Sequence, residues 1–255
     1  MTADTNLDIM WNAYKQGDHF PAALSGKLSL DDAYAVQLGM LARRMEEGEQ
    51  HAGWKVGLTA EAVRQVFGAD APVFGYLLKS GLYASGHEFP FDRMKVPCIE
   101  SELCITMGAA LKGPGVTREQ VLGAVAAVAP SNEILERRGD MAGDLPLGVA
   151  DNVAQYGYAV GEETSPFPRE LELANIRAKI LTNGEVFKDC VSHEVIEDQL
   201  DSIAWLANKL AQFGYGLEAG QRIMSGSYYP PTPVNKGDQW DTSFSGVGEV
   251  IVRFL

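Results

Sequence analysis

Val96-Pro97-Cys98-Ile99-Glu100-Ser101-Glu102-Leu103-Cys104-Ile105 alternates in a way that places Ile99, Ser101, Leu103 and Ile105 on one face of a strand and Glu100, Glu102 and Cys104 on the other. The two glutamates then project from the same face, roughly 7 Å apart along the strand and within reach of one shared ion. Unpaired burial of both would cost several kcal/mol per charge, so this face is either wet or holds a cation. A solvent-exposed strand carrying two ordinary surface acids fits the same spacing.

A third acid, Glu133, follows the apolar run Val121 to Val128, in Pro130-Ser131-Asn132-Glu133. Together with Glu100 and Glu102 it would complete an all-oxygen site of the kind that selects Mg²⁺ or Mn²⁺. The alternative is a salt bridge from Glu133 to Arg137 or Arg138. Lys55 stands alone in Gly53-Trp54-Lys55-Val56-Gly57-Leu58-Thr59, an apolar, glycine-bracketed setting that makes it a candidate proton carrier. Its alternative is a packed aliphatic stem whose ammonium reaches water or an acidic partner. Asp151-Asn152 would cap a turn or position a water.

Around these segments the chain reads as a β-rich α+β domain whose helices wrap a strongly bent sheet. Residues 1–50 are expected to form a helical segment that covers or assembles, with Leu7, Met10, Trp11 and Tyr14 on one stripe. Ser29 then opens a second run carrying Tyr34, Leu38, Leu41 and Met45. Residues 51–255 are expected to form the catalytic unit. Within it, Thr117-Arg118-Glu119-Gln120 carries a capping box, and a helix is expected over 194–213 with Gly214 as its stop. Gly248 to Phe254 reads as a final strand.

The net charge of −13 over 255 residues argues against nucleic acid or an anionic membrane as partner and points to a small molecule. The three cysteines lack metal-ligand spacing and form no disulfide framework, as expected of a reduced cytoplasmic protein. The start has no signal-peptide pattern, and no stretch is long enough to span a membrane. The four histidines form no HExxH, Ser225-Gly226-Ser227 is not a GxSxG elbow, and no GxGxxG follows a strand. Zinc hydrolase, serine hydrolase and NAD-dependent readings therefore have no support.

Six ordered motifs resemble the 2-keto-4-pentenoate hydratase and 4-oxalocrotonate decarboxylase branch of the fumarylacetoacetate hydrolase superfamily. They are Gly53 to Thr59, Phe74-Gly75-Tyr76-Leu77, Glu100-Ser101-Glu102, Pro130 to Glu133, Val149-Ala150-Asp151-Asn152, and Ser225-Gly226-Ser227 with Pro233 to Asp238. The resemblance implies a mixed β-roll like the fumarylacetoacetate hydrolase C-terminal domain, assembled into homo-oligomers. It implies Glu100, Glu102 and Glu133 as ligands of Mg²⁺ or Mn²⁺, Lys55 as the active-site lysine, and a 2-keto or 2-hydroxydienoic acid chelated through its C1 carboxylate and C2 oxygen.

The expected activity is that of a hydro-lyase of aromatic catabolism, adding water to a 2-hydroxy-2,4-dienoate to give a 4-hydroxy-2-keto acid. Decarboxylation of a 4-oxalocrotonate-type acid is the first alternative. Hydrolysis of a C–C bond in an acylpyruvate and an inactive partner subunit in a complex with a related decarboxylase or hydratase are the others. Where hydratases of the family carry an Asp, this chain has Ser80 in Leu78-Lys79-Ser80-Gly81, and Glu197 to Asp201 replaces the family's Gly-His-Pro-Leu-Asn. Ser80 is expected to act with Lys55, and Leu78, Asp151, Ser227 and Tyr228 to contact the substrate. Ser227, Tyr228 and Tyr229 fit turn packing beside Pro230 and Pro231 equally well.

Overall fold

The computed structural model describes residues 3–255. In chain order the elements are α1 (Ala3–Lys15), α2 (Leu30–Glu46), β1 (His51–Gly57), α3 (Glu61–Phe67), β2 (Val73–Leu78), β3 (Leu82–Ala84), β4 (His87–Phe89), β5 (Pro97–Met107), α4 (Arg118–Ala124) and β6 (Val125–Glu136). There follow α5 (Leu145–Ala150), β7 (Gln155–Val160), β8 (Arg177–Thr182), β9 (Glu185–Val191), α6 (Gln199–Ala211), β10 (Arg222–Ser227), β11 (Thr232–Pro233), β12 (Gln239–Phe244) and β13 (Gly248–Phe254). One sheet runs β2-β1-β10-β5-β6-β7-β3 with β11 paired to β5, and a second runs β4-β13-β12-β8-β9. Parallel pairs (β1 with β10, β3 with β7, β4 with β13) sit among antiparallel ones, which makes the roll a mixed one.

β5 explains the roll. Ile99, Leu103 and Ile105 are buried in the main core with Trp54, Val128 and Ile134. Cys104 points the other way and joins Leu77, Ala129, Tyr158, Val160 and Met224 in a separate cluster. Those residues come from β2, β6, β7 and β10, so the first sheet is curled around them. Glu100 and Glu102 continue the Cys104 face, with Glu100 opposite Glu133, Glu102 opposite Ser131 and Cys104 opposite Ala129. On the outer face Ser101 donates to Asn132 Oδ1 at 2.8 Å and lies 2.9 Å from Thr242 Oγ1 of the second sheet and 3.0 Å from the Tyr229 hydroxyl, so its polarity is matched by a buried seam between the sheets.

Helices cover the outer face. Ser29 caps α2 through a capping box with Asp32, and buried Gln37 pins the helix by donating to the carbonyls of Phe74 and Val149 at 2.9 and 2.7 Å. Met45, expected on the buried stripe, is 48% exposed because the last turn of α2 runs past the core. Thr117 and Gln120 form their capping box on α4. α6 begins at Gln199 rather than 194, because Asp198 accepts from the amides of Leu200 and Asp201 and so sets the first turn. It buries Leu200, Ile203, Leu206 and Leu210, each contributing about 1.5–3 kcal/mol of transfer free energy. Leu206→Asp would break that contact by burying a charge without a partner. No helix among the described residues is long and apolar enough to cross a membrane, and the three cysteines are free and buried.

Candidate active site

Backbone pairing, not loop geometry, delivers the charged groups to the open end of the roll. Glu100 lies across from Glu133, while Lys55 on β1 lies between Met224 of β10 and Gly75 of β2. One oxygen from each of Glu100, Glu102 and Glu133 lies within 4.8 Å of the others. Glu102 and Glu133 are buried, and Glu100 is half-buried. Lys55, 2% exposed, donates to Glu133 Oε1 at 2.5 Å and to the Val153 carbonyl at 3.2 Å. The stem packs and the ammonium finds an acidic partner. Neither Arg137 nor Arg138 reaches Glu133: Arg137 donates to the Pro231 carbonyl and Arg138 to Asp151 Oδ2 at 2.8 Å.

Three carboxylates facing one ammonium leave negative charge uncompensated. At such separations two like charges repel by on the order of 3 kcal/mol at an effective dielectric of about 20. Burial, and then Glu133, push the Glu100 carboxyl up to about 8 against the opposing pull of Lys55 and, less, of the Ser227 side chain. Burial lifts Glu102 well above the usual carboxylate range, reinforced by Glu133 and Glu100. Glu133 is raised by burial, with Lys55 opposing. Glu102 Oε2 also accepts from the Gly226 amide at 2.8 Å. Gly226, at φ 124°, sits where the β10–β5 ladder loses register, and a Cβ there would lie 2.8 Å from Thr59 Oγ1. Only glycine brings the amide to Glu102. An all-oxygen set with surplus negative charge fits a hard divalent cation.

Glu100 and Glu102 open into a cavity of about 630 Å³. Lys55, Glu100 and Glu102 line its buried end, Leu58, Val63, Leu135 and Val153 its walls, and Arg137 and Lys188 its outer part. Ser227 and Tyr228 also line it. Ser227 Oγ donates to the Tyr229 carbonyl at 2.6 Å, and the Tyr229 ring stacks on Trp240, so packing and lining coincide there. Two expected residues are elsewhere: Leu78 and Ser80 line a separate polar cavity of about 100 Å³ with Tyr76, Asn152 and Tyr158. The Asp151 carboxylate is engaged by Arg138 and lies 3.2 Å from His19 Nδ1. In the divergent 197–201 segment, Glu197 holds α3 through the Glu61 amide and Arg64, Asp198 caps α6, and Gln199 donates to Ser192.

Sequence reasoning missed the Val153 carbonyl, the Gly226 amide, Arg138 and the cations Arg137 and Lys188. The first two are backbone groups with no side-chain signature. Sequence proximity suggests Arg137 and Arg138 only as partners for Glu133, whereas the structure turns them to the Pro231 carbonyl and Asp151.

Residues 49–255 match the family described as fumarylacetoacetate (FAA) hydrolase C-terminal. The chain is 34% identical over 236 residues to a 2-oxo-hept-4-ene-1,7-dioate hydratase of Escherichia coli, covering 90% of this chain and 88% of that one. It is 30% identical over 230 residues to a 4-oxalocrotonate decarboxylase of Pseudomonas putida, covering 90% and 87%. Among solved structures, the 4-oxalocrotonate decarboxylase from Pseudomonas putida G7 complexed with magnesium and adipate superposes with a TM-score of 0.92 at 28% identity, over 100% of this chain and 99% of that one. The chain belongs to the fumarylacetoacetate hydrolase family.

Proposed function

We propose that this member of the fumarylacetoacetate hydrolase family is a divalent-metal-dependent lyase that adds water to a 2-hydroxy-2,4-dienoate in the breakdown of aromatic compounds. The observation that carries the reading is the buried cluster of Glu100, Glu102 and Glu133 with Lys55 at its edge. Glu100, Glu102 and Glu133 would hold Mg²⁺ or Mn²⁺. When bound, that ion supplies a Lewis acid for the C1 carboxylate and C2 oxygen of a 2-oxo acid.

The chain's own groups do the rest. The Gly226 amide fixes one Glu102 oxygen. Lys55 Nζ is the atom placed to give and take protons along the carbon chain, with Glu133 holding it. Ketonisation of the dienol yields an α,β-unsaturated 2-oxo acid; water then adds at C4 and a proton at C3, giving the 4-hydroxy-2-oxo acid. Leu58, Val63, Leu135 and Val153 keep bulk water from the chain of the substrate.

Decarboxylation of a 4-oxalocrotonate-type acid is the second reading. It is favoured by Arg137 and Lys188, which line the outer part of the cavity without a carboxylate partner among the described residues and would receive a second carboxylate. Product analysis by NMR after incubation with Mg²⁺ and either 2-hydroxypenta-2,4-dienoate or 4-oxalocrotonate separates the two. A 4-hydroxy-2-oxo product is expected from the first. CO₂ release from the second with no hydration of the first would replace hydration by decarboxylation, and no turnover of either would sink both.

A further inference from the structure

Three successive residues without a glycine among them, Asn152, Val153 and Ala154, adopt left-handed backbone conformations with φ of 56°, 52° and 59°. Such a run is costly for side chains with a Cβ, and most of all for β-branched Val153, so it persists only where its surroundings over-determine it. Here they do. The Asn152 carboxamide pairs with β2 as a strand would, accepting from the Tyr76 amide at 2.7 Å and donating to the Tyr76 carbonyl at 3.0 Å. Arg138 grips both flanks, donating to the carbonyls of Asp151 and Gln155 at 3.0 and 3.1 Å while its Nε holds the Asp151 carboxylate. Gly75 leaves the space: a Cβ there would lie 2.8 Å from Asn152 Oδ1 and 3.2 Å from Lys55 Cγ.

The product of this run is one carbonyl, that of Val153, aimed at Lys55 Nζ. An ammonium on a four-carbon stem beside three carboxylates has several partners of equal attraction. The Val153 carbonyl removes that freedom by holding it at the Glu133 edge of the cluster. Two of its three donor hydrogens are then engaged, by Glu133 and Val153, and one is left for the cavity.

We propose that Asn152 and Arg138 are positioning residues that lock the left-handed Asn152–Ala154 turn so that its Val153 carbonyl holds the Lys55 ammonium at the edge of the carboxylate cluster. The inference rests on the lyase reading for its consequence in catalysis and on the geometry alone for its consequence at Lys55.

Two readouts test Asn152→Ala. With Mg²⁺ in D₂O, exchange of the C3 protons of 2-oxopentanoate followed by ¹H NMR should fall at least thirtyfold in kcat, while KM and the Mn²⁺ affinity measured by EPR stay within about twofold. Separately, in metal-free protein, ¹³C-formaldehyde reductive methylation should label Lys55 at least tenfold faster than in the unchanged protein. Asn152→Ser, whose hydroxyl is too short to span both Tyr76 groups, should behave the same way and serves if the alanine variant does not fold. Unchanged exchange and labelling overturn the proposal. A parallel collapse of KM, Mn²⁺ affinity and Tm overturns it too, since that is a purely structural role. If the unchanged protein exchanges no protons, the lyase reading fails and the labelling rates alone decide the positioning.

Discussion

The two ends of the roll are built by the same strands on the same face, yet one is charged and the other apolar. Cys104 lies two positions beyond Glu102 on β5, with Leu103 alone between them. At the first, carboxylates gather around Lys55, and Glu100 and Glu102 open to the large cavity. At the second, Leu77, Ala129, Tyr158 and Met224 close over Cys104. The difference lies in what the neighbours allow. At the charged end the β10 irregularity turns the Gly226 amide onto Glu102, and the Val153 carbonyl and Glu133 hold Lys55. At the apolar end the ladder is regular, with Cys104 paired to both Met224 and Ala129. Charge is tolerated in this interior where irregular backbone brings donors to it and a cavity admits a cation.

The largest effect should come from making the charged end neutral. Glu102→Gln is expected to abolish turnover and divalent-cation binding while leaving the circular dichroism spectrum unchanged and the metal-free Tm equal or higher, because burial and the neighbouring carboxylates already favour the protonated form of Glu102 and the amide replaces it with a neutral group of the same shape. A metal-free Tm lowered by many degrees would show that the triad holds the fold together instead. Lys55→Met comes next, with kcat down by roughly 10³-fold, as for loss of a proton-transfer group, and cation binding retained. Retained activity in that variant would move the proton chemistry to another residue.

The converse change carries charge to the apolar end. Cys104→Glu should destabilise the protein by about 3–4 kcal/mol in urea unfolding, because no donor or cavity awaits it. A cost below 1 kcal/mol would mean that the contrast between the ends is not energetic. The most gradual effect is in pH. Glu100 is raised from its ordinary 4.5 to about 8, so the folded metal-free protein keeps a proton that the unfolded chain loses above about pH 4.5. Stability of the metal-free protein should therefore fall as pH rises from about 4.5 to 8, by at most about 1.4 kcal/mol per pH unit for each such proton. A cation must displace that proton, so its apparent Kd should tighten by up to about tenfold per pH unit below 8. A pH-independent Kd between 6 and 8 would contradict the raised carboxyl.

Alternation along β5 was legible in the sequence because a strand's period of two is local: Ile99, Leu103 and Ile105 against Glu100, Glu102 and Cys104. The caps at Ser29 and Thr117 were legible for the same reason. The partner of Glu133 was not. Its pairing with Lys55 depends on a β5–β6 register and a β1–β10 crossover that bring distant segments together, whereas Arg137 and Arg138 were merely near in sequence. The side on which Leu78 and Ser80 fall follows from the end of β2, where the chain leaves the ladder in a short 3₁₀ turn. Nothing in Val153 or Ala154 as residue types announces a left-handed backbone; tertiary clamps impose it.

Mn²⁺ titration of the metal-free protein, followed by EPR at pH 8, tests most directly whether the charged end is a cation site. One ion per chain is expected to bind, and Glu102→Gln and Glu133→Gln are each expected to abolish that binding. No binding to the unchanged protein, or binding equally tight in both variants, would contradict a site built from Glu100, Glu102 and Glu133.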